Sequence, residues 1–269
     1  MSLSLVFTGC ASSRVANEAK VRVNSSVAEE ISIGEKIHNE ILSAFYVYTE
    51  PKIVEYVSRI GKSLASHAER KELPYRFTVL YNEKIYATSA PGGFIYVTTG
   101  MMNFLQDEAQ FAAVLAHEIG HLQFKDPRLS HMRKFLADVT QTGAMVGPAF
   151  GQIGALAVLG LVLLNAAVDV GEKSPEDKII ESDKRALAYL LDEGYDPQAL
   201  LAMMEKFLNA EEAVMPYFFD YFQARPISQD RAKYLEKHFN ELPLADKTLE
   251  TRPQVYQEMT KGIREIYRQ

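Results

Sequence analysis

The spacing of apolar positions along this chain changes several times, and each change marks an expected element. Residues 26–70 carry two helical patterns separated near Pro51. Tyr75-Arg76-Phe77-Thr78-Val79-Leu80-Tyr81 is rich in β-branched and aromatic residues and predicts a strand. A second strand, Phe94-Ile95-Tyr96-Val97-Thr98, follows the turn Pro91-Gly92-Gly93. Helical spacing returns in Phe111-Ala112-Ala113-Val114-Leu115-Ala116. Asp107 stands where the N-cap of that helix belongs, with Gln110 three residues on as its capping-box partner. The Asp126-Pro127 step ends the segment, because proline drives the residue before it out of the helical region. A further helix is expected over about 127–142. Ser174-Pro175 opens a helix that runs to Gly194, Asp196-Pro197 opens one that ends near Asn209, and Ser228 to Asn240 and Arg252 to Tyr267 read as helical too. The expected fold class is α+β and mostly helical, with one small sheet beside the helix that follows Asp107.

The stretch from Ala149 to Val168 carries no charge and is long enough to cross a bilayer. Gln152 and Asn165 interrupt it. A single span would also put residues 170–269 across the membrane from His117 and His121. A buried or interface-resting helical hairpin fits better, and a mobile cover over a cleft stays open.

Between that stretch and the first strand lies the pentapeptide His117-Glu118-Ile119-Gly120-His121. Histidines four apart on a helix lie one turn apart on the same face, so both imidazoles can reach one metal ion. Glu118 is offset around the helix and can face a metal-bound water. Two neutral nitrogen ligands for Zn²⁺ beside a carboxylate that takes the water's proton is the chemistry of a metallopeptidase. A purely structural zinc site is a poorer reading: it rarely carries Glu between its histidines, Cys10 is the single cysteine, and His38 and His131 lie outside ligand spacing.

The chain's 269 residues suffice for one substantial domain. A net charge of −6 argues against nucleic acid as a partner, and no repeat of 20–50 residues is present. With one cysteine there is no intramolecular disulfide. Its setting, Leu5-Val6-Phe7-Thr8-Gly9-Cys10-Ala11-Ser12-Ser13, resembles a bacterial lipoprotein cleavage box, which implies lipid attached at Cys10 and a place on the periplasmic side of the cell envelope. Residues 1–25 are therefore expected to be a truncated signal, lipobox and small polar tether, and residues 26–269 a single metallopeptidase domain.

These motifs together resemble the CAAX prenyl protease and HtpX-like family of zinc metallopeptidases, in its soluble lipoprotein branch. The likeness covers roughly residues 30–240. It is carried by Ala87 to Met101 before the zinc helix, by Asp107 to His121, by Glu181-Ser182-Asp183 with Gly194-Tyr195-Asp196-Pro197, and by Arg225-Pro226-Ile227-Ser228-Gln229-Asp230-Arg231. The resemblance implies a zincin-like domain, zinc as cofactor, polypeptide substrates and envelope protein quality control. It also exposes two departures. The family's third ligand is a Glu four residues before an Asp; with Asp183 as that Asp, the ligand position holds Ile179, which has no donor atom. Glu181 is the nearest carboxylate and could serve if the helix were shifted by two residues, with Glu176 and Asp177 as weaker candidates. Asp183 itself could orient a ligating histidine. The second departure is Arg225, where the family has a His; Arg can still donate to an oxyanion but cannot bind metal.

The expected mechanism follows. His117, His121 and Glu181 hold zinc, Glu118 acts as general base, and Arg225 helps stabilise the oxyanion. Strand 94–98 is expected to offer an exposed edge to which an extended substrate adds. The competing expectation is a latent or decayed peptidase that binds polypeptides without cutting them.

Overall fold

The computed structural model describes residues 11–124, 175–208, 229–245 and 247–267. The chain starts with a long helix, α1 (Ala11–Ala44), followed by α2 (Pro51–Ala65). Glu50 caps α2 by accepting from the Ile53 amide at 3.0 Å, and Pro51 sits in the first turn, where its missing N–H costs nothing. Helix α1 takes in residues 11–25, expected as a tether; Ala and Arg recur there beside Glu18 and Lys20, and all four types are helix formers.

Three strands come next: β1 (Arg76–Leu80), β2 (Ala87–Ala90) and β3 (Phe94–Thr98). Their spatial order is β1-β3-β2. β1 pairs with β3 in parallel from Arg76↔Phe94 to Leu80↔Thr98, and β2 pairs with β3 antiparallel from Ala87↔Val97 to Ala90↔Phe94. The turn between β2 and β3 requires its glycines, since Gly92 and Gly93 have φ of 77° and 90°.

This order corrects the expected substrate edge. β3 is the central strand, with both sides hydrogen-bonded and all five residues buried. The reason is legible in its composition: Phe94-Ile95-Tyr96-Val97-Thr98 is apolar on both faces, the pattern of a strand enclosed on both sides. The edges belong to β1 and β2. The short β2 is not predicted as a separate strand, because Ala87-Thr88-Ser89-Ala90 carries little β-propensity of its own and is held by pairing with β3.

After β3 come α3 (Thr99–Phe104) and α4 (Glu108–His121). Thr98 ends the strand and caps α3, its hydroxyl accepting from the Met101 amide at 3.1 Å. Then follow α5 (Pro175–Glu193), α6 (Gln198–Leu208), α7 (Gln229–Asn240), α8 (Pro253–Met259) and α9 (Lys261–Ile266). Gly194, with φ of 86°, terminates α5 in a left-handed turn as its sequence position predicts. Arg252 to Tyr267, expected as one helix, is divided into two at Thr260, whose hydroxyl donates to the Tyr256 carbonyl at 2.7 Å.

α4 is the centre of the domain. Every residue from Glu108 to Gly120 is buried. It packs most extensively on α5 and also touches α2, α6 and β2. Among the described residues no helix is long and apolar enough to cross a membrane. The stretch 149–168 and the helix expected over 127–142 lie outside the described residues, as do Cys10, His131 and Arg225.

Candidate metal centre

The sequence builds α4 as a rigid, doubly anchored rod. At its start Asp107 accepts from the Gln110 amide at 2.8 Å, and the Gln110 side chain reaches back to the Gln106 amide at 3.1 Å. The next residue, Glu108, is wholly buried and accepts from Tyr56 Oη at 2.7 Å, Tyr195 Oη at 2.7 Å and Arg252 Nη1 at 3.0 Å. Burial works to raise its pKa; the bonds from Tyr195, Tyr56 and Arg252 outweigh burial and hold it below the ordinary glutamate value. A carboxylate in the first helical turn also complements the helix dipole. These bonds tie α2, the end of α5 and the start of α8 to one point on α4.

The far end is anchored as firmly. Gln123 donates to the Ile119 carbonyl at 2.7 Å and to Tyr75 Oη at 3.1 Å, and accepts from the Arg70 amide at 2.9 Å. Arg70 Nη1 donates to the Leu122 carbonyl at 3.0 Å, a cation on the negative end of the helix. Glu30 of α1 pairs with Arg70 through Nη2 at 2.7 Å and also accepts from the Gly92 amide at 3.1 Å. α1, the β2–β3 turn and the end of α4 thus share one polar knot.

Between the anchors lies the centre itself. His117 Nε2 and His121 Nε2 are 3.0 Å apart, with the rings edge-on at 87°. Behind His117, Asp183 Oδ1 of α5 stands 2.7 Å from Nδ1. This partner keeps a proton on Nδ1 and leaves the Nε2 lone pair free for a metal. Arg231 of α7 grips the same carboxylate twice, Nε to Oδ2 at 2.7 Å and Nη2 to Oδ1 at 2.9 Å. Burial acts to raise the Asp183 pKa, but Arg231 and His117 overcome it and bring it down to about 2. Asp183 is therefore an anion at any physiological pH.

The α4–α5 crossing brings these groups together, and Gly120 permits it. A Cβ there would stand 2.9 Å from the Ser182 carbonyl oxygen and 3.0 Å from its Cα. The two helices run antiparallel, as Glu108–Tyr195 and His117–Asp183 show.

Of the residues singled out in the sequence, His117 and His121 are brought together and Glu118 is buried beside them. Asp183 occupies the orienting position. Glu181 is elsewhere: its side chain is 31% exposed and lies 3.5 Å from Arg185 Nη1, one turn along α5. α5 runs unbroken from Pro175 to Glu193, so the two-residue shift that would swing Glu181 inward is absent. Asp177 is exposed, and the Glu176 side chain and Arg225 lie outside the described residues. Arg231 is the residue whose role the sequence does not reveal. It closes the segment that begins at Arg225, and only the fold shows that its partner is Asp183, 48 residues away.

The histidine pair fits zinc. Two nitrogens bonded to zinc at about 2.0–2.1 Å in a tetrahedron lie about 3.3 Å apart, a few tenths of an ångström from the spacing present. Among the described residues no group of three His, Cys, Asp or Glu side chains surrounds one point.

Comparison with known proteins agrees with this geometry. The chain is 25% identical over 189 residues to the beta-barrel assembly-enhancing protease of Escherichia coli (strain K12), an alignment covering 68% of this chain and 38% of that protein. The protein of the same name from Yersinia pestis is 24% identical over 198 residues, covering 70% of this chain and 40% of its own. A mitochondrial metalloendopeptidase of Schizosaccharomyces pombe is 24% identical over 195 residues, covering 72% and 55%. The chain thus spans roughly two fifths of the length of these bacterial relatives. The model of Peptidase family M48 matches residues 51–238, from the first turn of α2 through His117, His121 and Asp183 to Arg231 and beyond. The chain belongs to peptidase family M48.

Proposed function

We propose that this protein is a zinc-dependent endopeptidase acting on polypeptides of the bacterial envelope. The observation that carries the proposal is the pair of Nε2 atoms 3.0 Å apart on α4, with Asp183 holding His117 from behind. His117 and His121 are the proposed ligands. Zinc, when bound, supplies an acidified water and polarises the scissile carbonyl. Glu118 follows His117 in sequence, about 100° further round the helix. It takes the proton of the attacking water and delivers it to the leaving amine. Asp183 and Arg231 touch neither water nor substrate; they fix the His117 ring. Arg225 is proposed as a donor to the oxyanion.

The envelope assignment draws on two observations of different kinds. Relatives over the same domain are named for β-barrel assembly, and antiparallel barrels of that kind populate bacterial outer membranes. The residues around Cys10 also form a lipobox-like run, which would anchor the chain through lipid on the periplasmic side. Together they favour the soluble lipoprotein branch of the family.

The second reading is a latent or decayed peptidase that binds polypeptides without cutting them, and one observation favours its latency. β2 is the edge strand against α4, yet Thr88 is 0% exposed and Ala87 and Ala90 are each 1% exposed. An extended chain cannot add there until that edge is uncovered.

Cleavage of casein by zinc-supplemented protein separates the two. On the endopeptidase reading wild type cleaves. Glu118→Gln then loses several orders of magnitude in rate while zinc affinity stays within a few-fold of wild type. Near-normal cleavage by that variant, or no cleavage by fully zinc-loaded wild type, would exclude the assignment.

A further inference from the structure

α4 ends on one of the proposed ligands. Its last residue is His121, and the final carbonyls of a helix have no partner within it. Here they close on amides three residues ahead: Ile119 accepts from the Leu122 amide at 3.1 Å, Gly120 from Gln123 at 3.2 Å and His121 from Phe124 at 3.5 Å. Such closures have poorer geometry than the four-residue bonds of a helix body, and the last is longer than the usual hydrogen bond. The turn that carries His121 therefore needs support from outside the helix. His117 sits a full turn further in, with Asp183 and Arg231 behind its ring.

The support converges on Arg70, in the connection between α2 and β1. Its amide donates to Gln123 Oε1 at 2.9 Å, and its carbonyl accepts from Tyr75 Oη at 3.1 Å. Its Nη1 donates to the Leu122 carbonyl at 3.0 Å, and its Nε to Glu72 Oε1 at 3.0 Å. Glu30 of α1 accepts from Nη1 at 3.2 Å and from Nη2 at 2.7 Å. The Arg70 side chain is 8% exposed and that of Glu30 11%, so this pair is shielded from solvent. A planar guanidinium holds a carboxylate and a carbonyl in one fixed arrangement, which a single ammonium cannot do. Glu30 lies outside the family match of residues 51–238, so α1 reaches the end of α4 from beyond the matched region.

We propose that Arg70 is a positioning residue for His121 and that Glu30 sets Arg70, so that the docking of α1 governs how firmly His121 is held for zinc. Neither residue touches the metal. Arg70 acts on the backbone of the turn after His121, and Glu30 acts through Arg70. When that turn is formed only part of the time, apparent zinc affinity falls with the fraction formed. This inference rests on His117 and His121 being the zinc ligands, but not on the chain cleaving polypeptides.

The test uses protein stripped with EDTA and two readouts: zinc affinity by competition with a chromophoric chelator, and hydrogen exchange of the Leu122, Gln123 and Phe124 amides before zinc is added. Arg70→Gln should bind zinc about 10-fold more weakly than wild type, the lower end of what losing an orienting partner costs, and its three amides should exchange about 10-fold faster. Arg70→Lys keeps the charge but not the fork, and should lose about 3-fold in zinc affinity. Glu30→Gln should also lose about 3-fold, and should add nothing to Arg70→Gln in the double variant, because it acts through Arg70. Glu108→Gln loosens the opposite end of α4 and controls for a general loss of stability; it should bind zinc within about twofold of wild type. A folded Arg70→Gln with zinc affinity within about twofold of wild type would overturn the proposal. An equal loss in Glu108→Gln would do the same, since fold stability rather than the place of His121 would then set affinity. Additive losses in the double variant would overturn the part assigned to Glu30. Should Arg70→Gln not fold, Arg70→Lys and Glu30→Gln decide by the same two readouts. Zinc bound by no form, wild type included, would remove the ligand assignment and this inference with it. The expected affinities with no casein cleavage by any loaded form would leave this inference standing and remove the endopeptidase reading alone.

Discussion

Replacing Asp183 by Asn tests the core of the site, because one carboxylate serves both the stability of the domain and the geometry of His117. The side chain is buried, with a pKa lowered from the ordinary 3.8 to about 2. A folded-state pKa below the unfolded one stabilises the fold at pH values above the unfolded pKa. The contribution is lost as pH falls through the folded value. The gap between 3.8 and 2 is worth about 2–3 kcal/mol at neutral pH. The substitution would also remove the Asp183 charge from the Arg231 guanidinium, itself only 9% exposed. Breaking a buried pair from one side costs about 3–5 kcal/mol. Urea unfolding of metal-free Asp183→Asn should therefore show a loss of about 3 kcal/mol at pH 7. The difference from wild type should shrink between pH 4 and pH 2, where wild type protonates. The double variant Asp183→Asn/Arg231→Gln should recover part of the loss, with a coupling of about 1–3 kcal/mol. The amide can also present its oxygen or its NH₂ to Nδ1, so the tautomer is no longer fixed, and zinc affinity should fall 10–100-fold. A variant within about 0.5 kcal/mol of wild type at pH 7, the range of an ordinary surface change, would refute the reasoning. So would a difference that does not depend on pH.

Gly120→Ala should destabilise by about 1–3 kcal/mol in urea, as overpacking does. The added Cβ would meet the Ser182 backbone at 2.9 Å, which outweighs the roughly 1 kcal/mol that alanine gains in a helix; a more stable variant would show that the helices can part freely. Glu108→Gln should cost about 2–3 kcal/mol through its bonds to Tyr56, Tyr195 and Arg252. With its pKa lowered, that contribution is present above the ordinary glutamate value and fades as pH falls through the folded one, so urea unfolding that costs the same at pH 7 and pH 3 would contradict it. If Cys10 is lipidated, full-length precursor made in bacteria should label with palmitate and Cys10→Ser should not; equal membrane partitioning of the two forms would count against the anchor.

Much of the centre is legible in the sequence because its logic is local. His117 and His121 share a helix face by spacing alone, and Asp107 with Gln110 announces where that helix begins. Gly194 marks a helix end by the same local rules, whereas the short α3 capped by Thr98 is not announced by its sequence. What stays hidden depends on partners distant in sequence. β3 reads as a strand from its residues, but whether it lies at an edge is decided by β1 and β2 pairing on its two sides. Arg231 reads as one more exposed arginine until α7 brings it onto Asp183. The stacking of His38 on Phe94 and its bond to Tyr96 Oη at 2.9 Å likewise need α1 laid against β3 before they can be inferred.

Glu181 shows why closeness in sequence misleads on a helix. It attracts attention as the carboxylate nearest to the ligand position, only two residues away. On a strand, two residues return a side chain to the same face; on a helix they carry it to the opposite side. For Glu181 to reach the face of α5 that carries Asp183, α5 would have to rotate by nearly half a turn. That rotation would remove Asp183 from His117, lift Ser182 from Gly120 and expose the apolar face formed by Ala186, Leu187 and Leu190, all now buried. The phase of α5 is thus set by its packing along the whole length of α4, and the chemistry available to the metal follows from that phase. Residue 179 shares the buried face of α5 with residues 183, 186 and 190, and Glu181 does not.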